Sequence, residues 1–312
     1  MASRHDARII FTGPSGRGWH RLQLAAECMQ KYAWKYLTPP PEPEPAREIS
    51  MLLEPEGNQE GIPLMGTKSP ALIKGSLIHL ALAQRYKRMQ MKQEGKDPEE
   101  WCEPLEAVEL IAKLNGVTEH LPLLRKVYEA YDAHWYGEED YVKVLDVECL
   151  FETQIAGRYR YTGRIDLLTE TLDGVVHAED HKTAGRINAS QKEFYAVSGQ
   201  LMGYSHLVRE KYGDRYGGMK LNLIQVSADP RFERFDIARS PALESQFAQT
   251  VVDWEERIAL IEASGRKYDH WPKAMNELSC FSRYGACEYI DQCRFGAGTK
   301  KGAGGSWSWE GS

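Results

Sequence analysis

Residues 163–183 read GRIDLLTETLDGVVHAEDHKT, and the way its two halves pair decides the fold. Both halves are rich in strand-favouring residues, and Leu172-Asp173-Gly174 between them forms a three-residue hairpin loop if Gly174 turns left-handed. Thr171 then faces Val175, and counting back along both strands sets Asp166 opposite Asp180. Strand residues two apart point the same way. Asp166, Asp180 and Lys182 therefore share one face; Ile165, Leu167, Val175 and His177 share the other, and Glu179 points away from Asp180.

Two carboxylates opposed in a bare sheet repel. A divalent cation between them removes the repulsion, and hard oxygen ligands suit Mg2+ or Mn2+. A lysine beside that cation is placed to stabilise charge on a phosphate or to orient attacking water. Taken alone, Asp180-His181-Lys182 is equally an exposed ion pair worth well under ~1 kcal/mol, so the hairpin by itself leaves both readings open. Glu148, in DVECLF, is a further carboxylate on the neighbouring strand that would support the pair from behind.

The flanking segments narrow the choice. GRID, a short hairpin and DHKT resemble the core motifs of the PD-(D/E)XK nuclease superfamily, in the branch typified by the RecB nuclease domain. That branch carries a glycine and a histidine on a preceding helix, matched here by Gly75 and His79 in KGSLIHLAL. It also carries a Gln and a Tyr four apart on the following helix, matched by Gln200 and Tyr204 in QLMGY. The resemblance spans Gly75 to Tyr204. It implies a metal held by His79, Asp166, Asp180 and the backbone carbonyl of His181, with Lys182 as the catalytic lysine. It further implies that Gln200 and Tyr204 shape the site and touch the DNA backbone. Independently, neutral imidazole is an ordinary transition-metal ligand, and residues four apart lie on one helix face. Arg164, Arg186, Lys192 and Arg209 are candidate contacts to the DNA backbone near this site.

The six cysteines are unevenly placed. Cys102 and Cys149 sit among apolar neighbours and read as core filler. Cys280-x6-Cys287-x5-Cys293 crowds three thiols into CFSRYGACEYIDQC, with Cys28 standing alone near the start. One distant cysteine plus three near the end resembles the iron–sulfur nucleases of the AddB and CRISPR-adaptation types, which implies a [4Fe–4S] cluster on Cys28, Cys280, Cys287 and Cys293. The spacing departs from theirs, because that family usually places two of the late cysteines two residues apart. Four thiolates also suit Zn2+. Phe281, Tyr284 and Tyr289 in this lobe are candidates for stacking on unpaired bases or for ordinary packing.

Composition bounds the rest. The chain has 312 residues, 42% hydrophobic and 27% charged, as in an ordinary globular protein. No stretch approaches the ~18 apolar residues needed to span a bilayer. The opening residues lack an apolar signal core, so a cytoplasmic location is expected, in a bacterium or a phage-infected host. A formal net charge of −6 argues against general coating of nucleic acid and leaves room for a local basic groove. GPSGRGWH keeps the glycine frame of a phosphate loop, but Trp19 and His20 stand where Lys and Ser or Thr are needed, so it reads as a turn.

Along the chain, RIIF reads as a strand and residues 21–37 as one helix. Thr38–Glu48 is a proline-rich linker. Helices follow over about 70–94, 98–114 and 118–135, the last capped by Thr118. The strands of 142–184 lead into a long helix over 189–212, a second strand pair, and a helix over 241–265. The order predicts a mixed α/β protein: a PD-(D/E)XK, restriction-endonuclease-like core sheet flanked by helices, with a helical insertion and a cysteine-rich lobe. One domain is expected over residues 1–300 (helical region about 70–137, core about 142–240, cysteine lobe about 266–296), followed by a disordered tail, 301–312.

The function expected is a metal-dependent DNA exonuclease acting on single strands or duplex ends, in recombination, repair or CRISPR-type adaptation, and possible in a virus. Its partners would be DNA and a helicase, recombinase or adaptation-complex protein. The alternatives are a DNA-end-binding or adaptor protein with little catalysis, and a cluster-dependent redox or structural protein.

Overall fold

The computed structural model describes residues 7–10, 12, 15–37, 69–135, 137, 142–237, 239–282, 285–296, 299–301 and 307–309. The expected linker, Thr38–Glu48, lies outside them. Among the described residues, RIIF contributes no strand to the sheet. Arg8 makes a single parallel bridge, its amide donating to the Glu100 carbonyl (2.8 Å) and its carbonyl accepting from the Cys102 amide (2.9 Å).

Two short helices replace the single one expected over 21–37: α1 (Trp19–Glu27) and α2 (Met29–Tyr36). They part at Cys28, which is extended with φ −165° and ψ 113°. The first amides of a helix have no partner within it, and here that of Gln30 donates to the Pro272 carbonyl at 2.9 Å. Tertiary pairing outweighs helical propensity at this point.

Helix α3 (Pro70–Gln93) starts at a proline, which suits the first turn. Helix α4 (Pro104–Asn115) ends on left-handed Gly116. Thr118 does not cap the next helix; it opens a 3-10 turn, Thr118–His120, that leads into α5 (Leu121–Trp135). These three helices bury Leu77, Ile78, Leu82, Ala107, Val108, Leu124 and Val127 in one apolar core.

The sheet contains β1 (Val142–Ile155), β2 (Tyr159–Thr171), β3 (Val176–Ala184), β4 (Tyr216–Gln225) and β5 (Phe232–Ile237), in that spatial order. Neighbours are antiparallel except β3 and β4, which run parallel. A parallel pair needs a crossover, supplied by α6 (Ser190–Ala196) and α7 (Gly199–Tyr212). A continuous helix over 189–212 is expected; it breaks at Val197-Ser198, where Ser198 is extended and its hydroxyl accepts from the Leu201 amide. Helix α7 covers one face of the sheet, with Tyr216 donating to Ser205 (2.9 Å). Helices α3 and α5 cover the other, where Tyr86 stacks on His181 and Asn222 reaches Tyr131.

After β5 come α8 (Pro241–Ala263), α9 (Glu277–Cys280), the hairpin of β6 (Phe281–Ser282) and β7 (Gly285–Ala286), and α10 (Ile290–Phe295). Further on, β8 (Thr299–Lys301) pairs antiparallel with β9 (Trp307–Trp309).

The chain divides into two compact units: residues 1–19 with 44–248, and residues 20–43 with 249–312. The first holds the sheet. The second ties α2 to the late segment. Tyr32 stacks on Trp271 with centroids 5.9 Å apart, Trp34 Nε1 donates to Asp269 Oδ1 (2.8 Å), and buried Arg21 pairs with Glu255 and donates to Tyr32 Oη (2.8 Å).

Candidate active site

The hairpin closes through residues 172–174. The Thr171 amide donates to the Val175 carbonyl (2.9 Å), and Gly174 has φ +84°. The β2–β3 ladder runs Glu170↔Val176 to Leu167↔Glu179, and one step further sets Asp166 across from Asp180. On the other side of β2, the pairs Val147↔Leu167 and Cys149↔Ile165 leave Glu148 across from Asp166. Glu148, Asp166 and Asp180 thus form an acidic row across three strands. Glu148 has φ +52°, a left-handed backbone that costs a non-glycine residue about 1–3 kcal/mol and persists where surrounding structure enforces it.

Helix α3 brings His79 to this row, its Nδ1 3.4 Å from Asp166 Oδ2. One ligand atom each from His79, Glu148 and Asp166 lie within 4.8 Å of one another. Asp166 Oδ2 also accepts the His181 backbone amide at 2.8 Å. Asp180 is 1% exposed, and its oxygens make no hydrogen bond beyond the ion pair of Oδ2 with Lys182 Nζ at 2.6 Å. Buried carboxylates without partners are costly, so an oxygen-rich set plus one imidazole fits a divalent cation.

Lys182 Nζ also donates to Gln200 Oε1 (3.2 Å), and Gln200 Nε2 donates to Tyr204 Oη (2.8 Å). Helix α7 lies close enough for this because Gly163 has no side chain. A methyl there would sit 2.5 Å from Leu207 Cδ1 and 3.1 Å from Tyr204 Cδ1. On the other face, a methyl on Gly75 would sit 2.9 Å from Thr183 Oγ1, and His79 follows one helical turn later.

Burial and crowding shift these groups. His79 is lowered to about 4, by burial first and then by the Lys182 charge, so its imidazole is neutral near pH 7. Burial raises Asp166 to about 6 against the lowering effects of Lys182 and the His181 amide. Glu148 is pushed well up by burial and then by Asp166, and Asp180 is raised by burial against Lys182. Burial opposes the charge on Lys182, but Asp180 and Asp166 more than offset it and raise its pKa. Burial thus favours the protonated forms of three carboxyls crowded around one lysine.

Other residues singled out in the sequence have different surroundings. Tyr204 is 8% exposed with its hydroxyl on Gln200, an interior position rather than one facing DNA. Arg164 Nη1 donates to the Glu148 carbonyl (2.9 Å), bracing the row. Arg186 is exposed in the loop after β3, and exposed Lys192 lies over the Phe235 ring at 5.4 Å. Arg209 pairs with Glu244 at 3.0 Å on the last turn of α7, about 13 Å along the helix from Gln200 at ~1.5 Å per residue. Glu148 is nearer the centre than a supporting carboxylate. The signal was the loop 156–158, from which the same register counting sets Glu148 opposite Asp166.

In the second unit, Cys28, Cys280, Cys287 and Cys293 line one small pocket with Lys31, Trp34 and Tyr289. The Cys287 amide donates to the Cys280 carbonyl at 2.7 Å, and Lys273 Nζ donates to the Cys293 carbonyl at 3.2 Å. Tyr289 packs on Trp34 (5.4 Å) and Phe281 is 59% exposed; Tyr284 lies outside the described residues.

A profile of the PD-(D/E)XK nuclease superfamily matches residues 20–294. No curated protein sequence matches significantly. Among solved structures, the chain is similar to a protein from Eubacterium rectale described provisionally as an exonuclease. The identity is 12% and the TM-score 0.41, over 74% of this chain and 80% of that one. It is also similar to SSO0001, at 15% identity and a TM-score of 0.27, over 57% of this chain and 74% of that one. Among the described residues, no helix is long and apolar enough to cross a membrane.

Proposed function

This chain belongs to the PD-(D/E)XK nuclease superfamily, and from that footing we propose a metal-dependent deoxyribonuclease of the RecB-like branch. In this reading it is an exonuclease acting on single-stranded DNA or duplex ends, in recombination, repair or adaptation, alongside a helicase, recombinase or adaptation protein. The observation that carries the reading is the acidic row Glu148, Asp166 and Asp180 with neutral His79 at one side and Lys182 at the other.

His79, Glu148, Asp166 and Asp180 would hold Mg2+ or Mn2+, joined by the His181 carbonyl. A cation held there supplies Lewis acidity toward a phosphate oxygen and a more acidic water. Lys182, kept charged by Asp180 and steadied by Gln200, stabilises charge on the phosphate as water oxygen bonds to phosphorus and the ester P–O bond breaks. Arg186 and Lys192 are the exposed cations best placed to hold the DNA backbone beside β3.

The four clustered cysteines support a [4Fe–4S] cluster that fastens the second unit. Four thiolates suit either a [4Fe–4S] cluster or Zn2+; elemental analysis with the visible absorption spectrum decides between them.

End-labelled single strands, incubated with the protein and Mn2+, should be degraded, and labels at the 5′ and 3′ ends report polarity. Lys182→Ala should abolish the activity. Binding to DNA ends without degradation would favour the adaptor alternative, and degradation that survives Lys182→Ala would overturn the site assignment.

A further inference from the structure

On the face of β3 turned away from Asp180 and Lys182, Glu179 and His181 belong to a buried polar network. Glu179 is 2% exposed; Thr169 Oγ1 donates to its Oε1 (2.9 Å) and Arg234 Nε lies 3.5 Å from its Oε2. Arg234 Nη2 donates to the hydroxyls of Tyr86 (3.1 Å) and Tyr131 (3.0 Å), which are 2.7 Å apart. Asn222, fully buried on β4, has its Nδ2 2.7 Å from Tyr131 Oη and 3.0 Å from His181 Nδ1. Tyr86 stacks on the His181 ring at 5.7 Å and 16°.

With Asn222 Nδ2 as the contacting atom, the hydrogen-bond inventory assigns the roles. An amide NH2 has two protons to give; one goes to Tyr131 and one to His181 Nδ1, which must then accept. The Tyr131 oxygen accepts from Asn222 and Arg234, so its own proton goes to Tyr86. Six elements (α3, α5, β2, β3, β4 and β5) thereby converge on one imidazole. The backbone amide of that residue holds Asp166 at 2.8 Å on the opposite face of the sheet, and its peptide joins Asp180 to Lys182.

We propose that Asn222, Tyr131, Tyr86 and the Glu179–Arg234 pair are positioning residues for the acidic row: by clamping the His181 side chain they fix the peptide that orients Asp166, and so set the affinity of the row for a divalent cation. This rests on the metal reading of the row. Groups hydrogen-bonded to metal ligands typically change affinity 10–100-fold when removed, and this network acts one bond further back. A half-satisfied buried network is worse than none, so single changes should be felt.

The test is Mn2+ titration of the full chain without DNA, read by the electron paramagnetic resonance of free Mn2+, beside thermal melting. Asn222→Leu should raise the Kd for Mn2+ about tenfold. Tyr131→Phe, which removes one hydroxyl, should raise it by a smaller factor. Val127→Ala, in the same helix as Tyr131 and outside the network, should lower the melting midpoint and leave the Kd unchanged. If Asn222→Leu does not fold, Tyr131→Phe decides. Variants that melt earlier yet bind Mn2+ within about twofold of the unmodified protein overturn the proposal. Unmodified protein that does not bind Mn2+, or that keeps its affinity after Asp166→Asn, overturns the metal reading and this proposal with it.

Discussion

Gln200 accepts a hydrogen bond from Lys182 Nζ at 3.2 Å, so the glutamine holds the lysine rather than reaching past it. Its amide is itself held by Tyr204 at 2.8 Å. Gln200→Ala should therefore lower kcat about 10–100-fold, the usual cost of losing an outer partner, with little change in KM for DNA or in Mn2+ affinity. Single-turnover kinetics with Mn2+ titration separates these. A rise in KM with unchanged kcat would show that Gln200 binds DNA instead.

Glu148 should show opposite effects on stability and on metal binding. It is buried at 7% exposure, and burial followed by Asp166 pushes its carboxyl well above the ordinary range, so burying it opposes folding at neutral pH when no cation is present. Glu148→Gln should raise the melting midpoint of the metal-free protein and weaken Mn2+ binding by about tenfold or more. Calorimetry and thermal melting with and without Mn2+ check both signs. Unchanged Mn2+ binding would exclude Glu148 from the ligand set.

The strands and the hairpin were legible because alternation and a three-residue loop leave one register, and register alone sets Asp166 against Asp180. Counting from loop 156–158 sets Glu148 opposite Asp166, but no propensity signals the left-handed backbone at Glu148 itself. The helix breaks at Cys28 and Ser198 were hidden for a related reason. Each is set by a partner distant in sequence or by a local cap, such as Gln30 on Pro272 or Leu201 on Ser198. RIIF has strand composition, but among the described residues its bridge is the isolated one from Arg8 to Trp101. Alternation places Glu179 on the far face, but nothing local in the sequence brings Arg234, Tyr86, Tyr131 and Asn222 together there.

Proton competition should make cation binding depend on pH. Asp166 titrates at about 6, above its ordinary 3.8. Its contribution to the metal-free fold is thus present below about 3.8 and lost as pH rises through about 6. A cation needs the carboxylates ionised, and Glu148 and Asp180 are raised as well, so stabilisation by Mn2+ should be smaller at pH 5 than at pH 7.5. His79, already neutral above about 4, does not limit this. Melting with and without Mn2+ across this range is the measurement; an equal shift at pH 5 and pH 7.5 would contradict it.

Gly163 lets α7 approach β2, since a Cβ would lie 2.5 Å from Leu207 Cδ1. Gly163→Ala should destabilise the fold by about 1–3 kcal/mol, the usual cost of overpacking. It should also lower activity, because the displaced helix carries Gln200. Urea unfolding together with the nuclease assay tests both; full activity in a destabilised variant would detach the helix position from the chemistry.

The cysteines offer a test that leaves the acidic row untouched. Cys28 sits at the extended break between α1 and α2, Cys280 and Cys287 flank the β6–β7 hairpin, and Cys293 lies on α10. Few apolar side chains are buried in this late segment: Met275, Leu278 and Phe281 are 84%, 87% and 59% exposed. A lobe so poor in core must draw stability from another source, and binding a structural metal supplies on the order of several kcal/mol or more. Cys28→Ser should lose iron and its broad visible absorption, and the second unit should become sensitive to proteolysis. Mn2+ affinity at the row should persist, since His79, Glu148, Asp166 and Asp180 all belong to the first unit. Stoichiometric zinc without iron would exchange the cluster for a ZnS4 site. Unchanged metal content and protease resistance in Cys28→Ser would remove the fourth ligand from the scheme.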